Sequence, residues 1–118
     1  MKVMLKRAYE LPSATDGQRI LVDRLWPRGV AKAKAKIDLW LKDVAPSTEL
    51  RQWFGHEPDK WHEFKKRYCV ELKSNPALSE LQELSRHGDI TLIYAARDQS
   101  NNEAVVLKQI LDGNPKQE

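Results

Sequence analysis

The segment from Asp23 to Gly29 has the side chains best suited to binding a small charged ligand. It reads Asp-Arg-Leu-Trp-Pro-Arg-Gly. Arginine presents a rigid fork of N–H donors that matches phosphate or carboxylate, and tryptophan offers a flat face for stacking. We therefore predict that Arg24, Trp26 and Arg28 bind a ligand and that Asp23 transfers a proton. In the structural alternative, Arg24 pairs with a nearby carboxylate, Trp26 packs in the core and the Pro-Arg-Gly sequence is only a turn.

A second polar group follows an apolar run near the end of the chain. Arg97 and Asp98 come directly after this run, and Asn102 lies near the expected start of a helix. A helix N-terminus attracts anions through its free N–H groups and its dipole. We predict that Arg97 and Asn102 bind the anion and that Asp98 takes part in proton transfer. Alternatively, Asp98 is a turn residue, Asn102 helps to cap the helix and Arg97 neutralises a carboxylate.

His56 is a third candidate, because a loop histidine beside aromatic residues can act as a general acid or base near neutral pH. The alternative is that His56 is a surface or capping residue.

Cys69 has the setting of a buried structural thiol rather than a nucleophile. No set of His, Cys and Asp has the spacing of a zinc site, and the chain has no P-loop, G-x-G-x-x-G or G-x-S-x-G motif. We therefore predict neither a metal nor a cofactor.

These polar groups can meet only if the strands before them lie side by side in one sheet. Residues 90–96 are apolar without alternation, which is typical of a strand covered on both faces of a parallel sheet. Residues 19–26 show the same pattern, in which an apolar run is followed by charged residues at the end of the strand. Ligands in open α/β sheets bind at the carboxyl edge. We therefore expect the charged groups near Asp23 and near Asp98 to share one cleft.

The remaining elements are predicted from periodicity and capping residues. Further strands are expected at residues 3–9 and 37–42, the second with a helix as its alternative, and residues 31–36 form either an exposed turn of helix or a mobile loop. Helices are expected over 47–55, 58–73, 76–88 and 100–112. Ser100 and Glu103 have capping-box spacing, so the last helix should begin immediately after its strand. The pattern predicts one α/β domain over residues 1–118, with about four mostly parallel strands and helices on both faces.

Composition excludes several classes of protein. With 118 residues, 41% hydrophobic and 31% charged, the chain resembles an ordinary folded domain rather than a disordered or membrane protein. It has one cysteine and no apolar run of the roughly 20 residues that cross a bilayer. We therefore expect a cytoplasmic protein without membrane contact. The net charge of +3 favours anionic partners only mildly.

Three groups of motifs, taken in order, carry a family resemblance. They are Arg19–Gly29, residues 45–56 with Ala-Pro-Ser and Trp-Phe-Gly-His, and residues 91–98 with Asn102. Together they closely resemble the YeaO-like bacterial proteins, the family called domain of unknown function 488. The resemblance covers nearly the whole chain. It implies a small cytoplasmic α/β protein and implies no particular reaction.

The sequence therefore predicts a protein that binds a small anionic ligand, phosphate-containing or nucleotide-like, at the carboxyl edge of its sheet. Whether it also transforms that ligand is left open. One alternative is a nucleic-acid-binding module in which Lys32, Lys34 and Lys36 contact backbone phosphates. Another is a non-enzymatic interaction domain whose polar cluster is purely structural.

Overall fold

Strand β4 (Ile90–Tyr94) lies in the middle of the sheet in the computed structural model, which describes residues 2–113. The other strands are β1 (Val3–Arg7), β2 (Gln18–Leu21) and β3 (Leu39–Trp40). The four strands are all parallel, in the order β1-β4-β2-β3. This confirms the predicted parallel α/β sheet, including the short strand within residues 37–42.

The apolar sequence of β4 reflects cover on both of its faces. All five of its residues are buried, with Ile90 and Leu92 facing one side and Ile93 the other. Strand β4 is shorter than the predicted 90–96, because the backbone N–H of Ala95 donates to the Asp23 carboxylate at 2.9 Å instead of to a strand carbonyl. A side chain thus takes over the hydrogen bond where the two strands end.

Five α-helices complete the fold over residues 2–113. They are α1 (Lys32–Ala35), α2 (Thr48–Phe54), α3 (Trp61–Lys73), α4 (Pro76–His87) and α5 (Glu103–Leu111). Helix α2 begins and ends as predicted, since the Ser47 side chain accepts from the N–H of Leu50 and Gly55 adopts a left-handed φ of 54°. A single 3₁₀ turn, Pro58–Lys60, precedes α3. None of the helices within residues 2–113 is long and apolar enough to span a membrane.

The predicted capping box at the start of the last helix is wrong. Asn102, not Ser100, caps α5, and its side chain accepts from the N–H of Val105 at 3.1 Å. The Asp98 carboxylate accepts from the N–H groups of Ser100 and Asn101 and holds them in a turn before the helix. Glu103 is therefore the first residue of α5 rather than the third residue of a capping box.

The two faces of the sheet are covered unequally. Helices α2 to α5 pack on one face and form the larger core, which includes the stripe Phe64, Tyr68 and Leu72 of α3 and has Cys69 half-buried against it. On the other face, Leu21 and Ile93 contact a smaller apolar cluster formed by the loop residues around α1. Helices thus lie on both faces, although α1 is only one turn.

A buried ionic cluster lies beneath α1, at the amino end of the strands. The Arg19 guanidinium binds the Asp16 carboxylate at 2.7 Å and the Ala35 carbonyl at 2.8 Å. Lys6 approaches the other Asp16 oxygen at 3.0 Å. Because these groups bind one another and the Ala35 carbonyl of α1, they stabilise the second face of the sheet.

Candidate functional site

A cleft of about 740 Å³ opens at the carboxyl edge of the sheet. Strands β2 and β4 are parallel neighbours, with Leu21 opposite Ile93, so the segments that follow them leave the sheet side by side. The cleft is lined by every site residue that the sequence predicts: Asp23, Arg24, Trp26, Arg28, His56, Arg97, Asp98 and Asn102. The convergence expected from the two strand ends is therefore present, whereas the chemical roles of these residues stay predictions.

Four arginines line the cleft without an ion pair. The sequence predicts Arg24, Arg28 and Arg97, and the structure adds Arg51 from α2. Within residues 2–113, none of them lies within salt-bridge distance of a carboxylate. The predicted structural alternative, in which Arg24 is neutralised by Asp23 or Asp98, is therefore not what the geometry shows.

Arg24 is held from one side only. Its Nη2 donates to the carbonyls of Ala45 and Pro46 at 3.2 and 3.3 Å, which fixes the guanidinium against the loop before α2. Its Nε is buried and has no hydrogen-bond partner in the described part of the chain. A buried donor without a partner is costly, and a ligand acceptor would remove that cost.

Asp23 and Glu103 form a carboxyl pair in the deep part of the cleft. One Asp23 oxygen accepts from the N–H of Ala95. The other, Oδ1, is buried and receives no donor from the described backbone or side chains. Burial of the Glu103 carboxyl raises its pKa well above the usual 4.5, and the neighbouring Asp23 carboxyl raises the pKa further. A raised pKa favours the protonated form of Glu103, and a protonated acid can lie beside a carboxylate, as in other pairs of adjacent acids.

Sequence reasoning missed Glu103 as a site residue, along with Arg51 and two buried rings. Phe54 and Phe64 stack at 4.4 Å between centroids and line the apolar side of the cleft. In the sequence they have the spacing of ordinary core residues. The spacing of Glu103 from Ser100 indicates a capping box, and the only sequence signal for a site role is that Glu103 is the first acidic residue after Asn102.

Asp98 and Asn102 both have a structural role. Hydrogen bonds from the N–H of Ser100, and then of Asn101, lower the pKa of Asp98, although its partial burial acts in the opposite direction. The amide of Asn102 donates to the Asp98 carbonyl at 2.8 Å while its oxygen caps α5. The turn and capping roles weighed for these residues are thus present, and ligand contact remains a prediction for both.

Trp26 and His56 lie at the rim. The Trp26 indole N–H donates to the Val30 carbonyl at 2.7 Å, and its ring meets that of Trp40 edge-on at 5.5 Å. Trp26 therefore packs in the smaller core while one side faces the cleft. His56 is exposed beside Phe54 and has a φ of 58°, which is unusual for a residue other than glycine. Across residues 2–113, no group of three or more His, Cys, Asp or Glu could hold a metal ion.

The fold and the cleft define an α/β protein of the open parallel-sheet class, with its candidate site at the carboxyl edge. The chain belongs to the DUF488-N3i family, described as the inactive DUF488-N3 subclade, whose model matches residues 2–118. It is 44% identical over 112 residues to the uncharacterized protein Rv3073c of Mycobacterium tuberculosis, covering 95% of each chain. It is 39% identical over 108 residues to the uncharacterized protein YeaO of Escherichia coli, covering 91% of this chain and 94% of YeaO. No solved structure matches the chain.

Proposed function

We propose that this protein binds a small anionic ligand, phosphate-containing or nucleotide-like, in the cleft at the carboxyl edge of the sheet. The observation that carries the proposal is the set of four arginines, Arg24, Arg28, Arg51 and Arg97, that line one cleft with no carboxylate partner in the described chain. Arginines that line one cleft without counter-charges repel one another, and a bound phosphate or carboxylate offsets that repulsion while accepting their paired donors.

The size and charge of the cleft support a small ligand. Its volume of about 740 Å³ is typical of sites for metabolite-sized molecules. Three carboxyl groups also line it, from Asp23, Asp98 and Glu103, and burial together with the neighbouring Asp23 raises the pKa of Glu103, which favours its uncharged form. The arginines therefore outnumber the negative charges, and the cleft favours an anion.

We propose that the protein binds this ligand without transforming it. The family supports this version of the proposal, because the matching subclade is described as inactive. Proton transfer by Asp23, His56 or Asp98 is not required for it. The single cysteine of the chain excludes an internal disulfide, and we place this binding activity in the cytoplasm.

The test is a calorimetric titration of the protein with inorganic phosphate and with a nucleoside monophosphate. Arg97→Ala is expected to weaken both affinities about tenfold, since a hydrogen bond to a charged group contributes roughly 1.5–3 kcal/mol. Arg97 is exposed, so the variant should fold normally. Arg86→Ala is the matched control, because Arg86 is also exposed and pairs with Glu83 on α4, outside the cleft lining.

Unchanged affinity in Arg97→Ala and in the corresponding Arg28→Ala variant would refute the proposal. The salt dependence separates it from the nucleic-acid alternative, in which Lys32, Lys34 and Lys36 contact phosphates. A nucleic-acid module releases many counterions and loses affinity steeply with salt, whereas a single small anion contacts few cations and has a shallow dependence.

A further inference from the structure

The deep part of the cleft presents both an acid pair and an unused donor. Asp23 has a buried Oδ1 and the neighbouring Arg24 has a buried Nε, and neither atom has a hydrogen-bond partner in the described chain, while the Asp23 carboxyl raises the pKa of Glu103. All three residues line the same cavity. A ligand group that fits here must therefore donate to a carboxyl oxygen and accept from a guanidinium.

Few chemical groups satisfy both requirements. The dianion of a phosphate ester accepts hydrogen bonds but has no proton to donate to a carboxylate. An ammonium donates but cannot accept from Arg24, and the four arginines of the cleft repel its charge. A hydroxyl both donates and accepts. Two adjacent hydroxyls can meet the two carboxyl groups and the Nε together.

We propose that the ligand is a phosphorylated polyol, and that Asp23, Glu103 and Arg24 bind its vicinal hydroxyls while the exposed arginines bind its phosphate. This inference rests on the proposed anion site and adds which class of anionic ligand that site selects. Phe54 and Phe64 line the same cleft and give it an apolar side, and a less polar surrounding strengthens hydrogen bonds to the carboxyl groups.

The test compares three phosphate esters of similar size by calorimetry on the intact protein. Glycerol 3-phosphate has a vicinal diol, propyl phosphate has no hydroxyl and O-phosphoethanolamine has an ammonium group. Glycerol 3-phosphate is expected to bind about tenfold more tightly than either of the others. All three esters offer a phosphate to the arginines, but only glycerol 3-phosphate also offers hydroxyls that hydrogen-bond to charged groups in the cleft. Ribose 5-phosphate and uridine 5′-monophosphate then distinguish a free sugar phosphate from a nucleotide as the source of the diol.

Variants at Glu103 assign the effect to the acid pair. Glu103→Leu should abolish the preference for glycerol 3-phosphate over propyl phosphate. Glu103→Gln should keep the preference, since its amide still donates to Asp23 and its carbonyl still accepts. If Glu103→Leu does not fold, the comparison of the three esters on the native protein decides the question alone.

The outcomes separate this inference from the anion site on which it rests. If inorganic phosphate binds but glycerol 3-phosphate binds no more tightly than propyl phosphate, the diol site is refuted and the anion site stands. Tighter binding of O-phosphoethanolamine, or a diol preference that survives in Glu103→Leu, also refutes the diol site. Absence of binding by every probe refutes both.

Discussion

Replacing Asp16 with asparagine is expected to destabilise the protein by about 3 kcal/mol, because the change leaves a buried guanidinium without its counter-charge. The side chains of Asp16 and Arg19 are only 6% and 4% exposed. Lys6, the other partner of Asp16, is 20% exposed and can turn toward water. The cost therefore arises mainly at Arg19, which places it at the lower end of the roughly 3–5 kcal/mol measured for broken buried pairs.

The cost should also depend on pH in a defined direction. Burial acts to raise the pKa of Asp16, but hydrogen bonds from the Ser13 backbone, Lys6 and Arg19 outweigh it and lower the pKa below 3.8. A carboxylate with a lowered folded-state pKa stabilises the protein above its unfolded pKa, and this stability is lost as the pH falls through the folded value. The difference between native protein and Asp16→Asn should therefore be largest at neutral pH and shrink in acid.

Urea unfolding at several pH values measures this difference as a free energy of unfolding. Asp112→Asn is the control, because the Lys108–Asp112 pair, at 2.6 Å, is partly exposed and should contribute less than about 0.5 kcal/mol. A cost for Asp16→Asn as small as that of the control, or one that does not change between neutral and acidic pH, would contradict the assignment of a buried ionic cluster.

Two further predictions concern Glu103 and Gly17. The raised folded-state pKa of Glu103 means that the native protein loses stability as the pH rises above about 4.5. In urea unfolding, Glu103→Gln should therefore be more stable than the native protein at pH 8, and this gain should vanish near pH 4. Equal stability of the two proteins at both pH values would contradict the buried acid. Gly17 has a φ of 65°, and a Cβ there would meet the Asp89 carbonyl, so Gly17→Ala should lower the free energy of unfolding by more than about 1 kcal/mol. Gly88→Ala is the control: a Cβ at Gly88 would lie in open space, so this substitution should change the thermal midpoint little. A Gly17→Ala protein as stable as the control would refute the close approach.

Local patterns were sufficient to predict the elements that frame the cleft. The apolar run after residue 89 predicted a strand buried on both faces, and all of β4 is buried. Ser47, Gly55 and Pro76 correctly marked helix ends, because capping depends on hydrogen bonds between residues only a few positions apart. These interactions act the same way in any tertiary context.

The start of α5 shows where such a pattern fails. Ser100 and Glu103 have the spacing of a capping box, yet the Asp98 carboxylate accepts from the N–H groups of Ser100 and Asn101 and keeps them out of the helix. Two local motifs competed for the same backbone donors. The sequence contains both, and only their geometry after the strand end decides which one forms.

The sequence by itself determined that two buried strands end in charged residues and that an open parallel sheet brings those ends to one edge. That followed from periodicity and from the general geometry of parallel sheets. Only the tertiary structure decided that Glu103 lies beside Asp23 and that Arg51 joins the arginines of the cleft. The physical reason is that the position of the first residue of α5 depends on packing between segments that are distant along the chain. The burial that raises the pKa of a carboxyl group depends on the same packing.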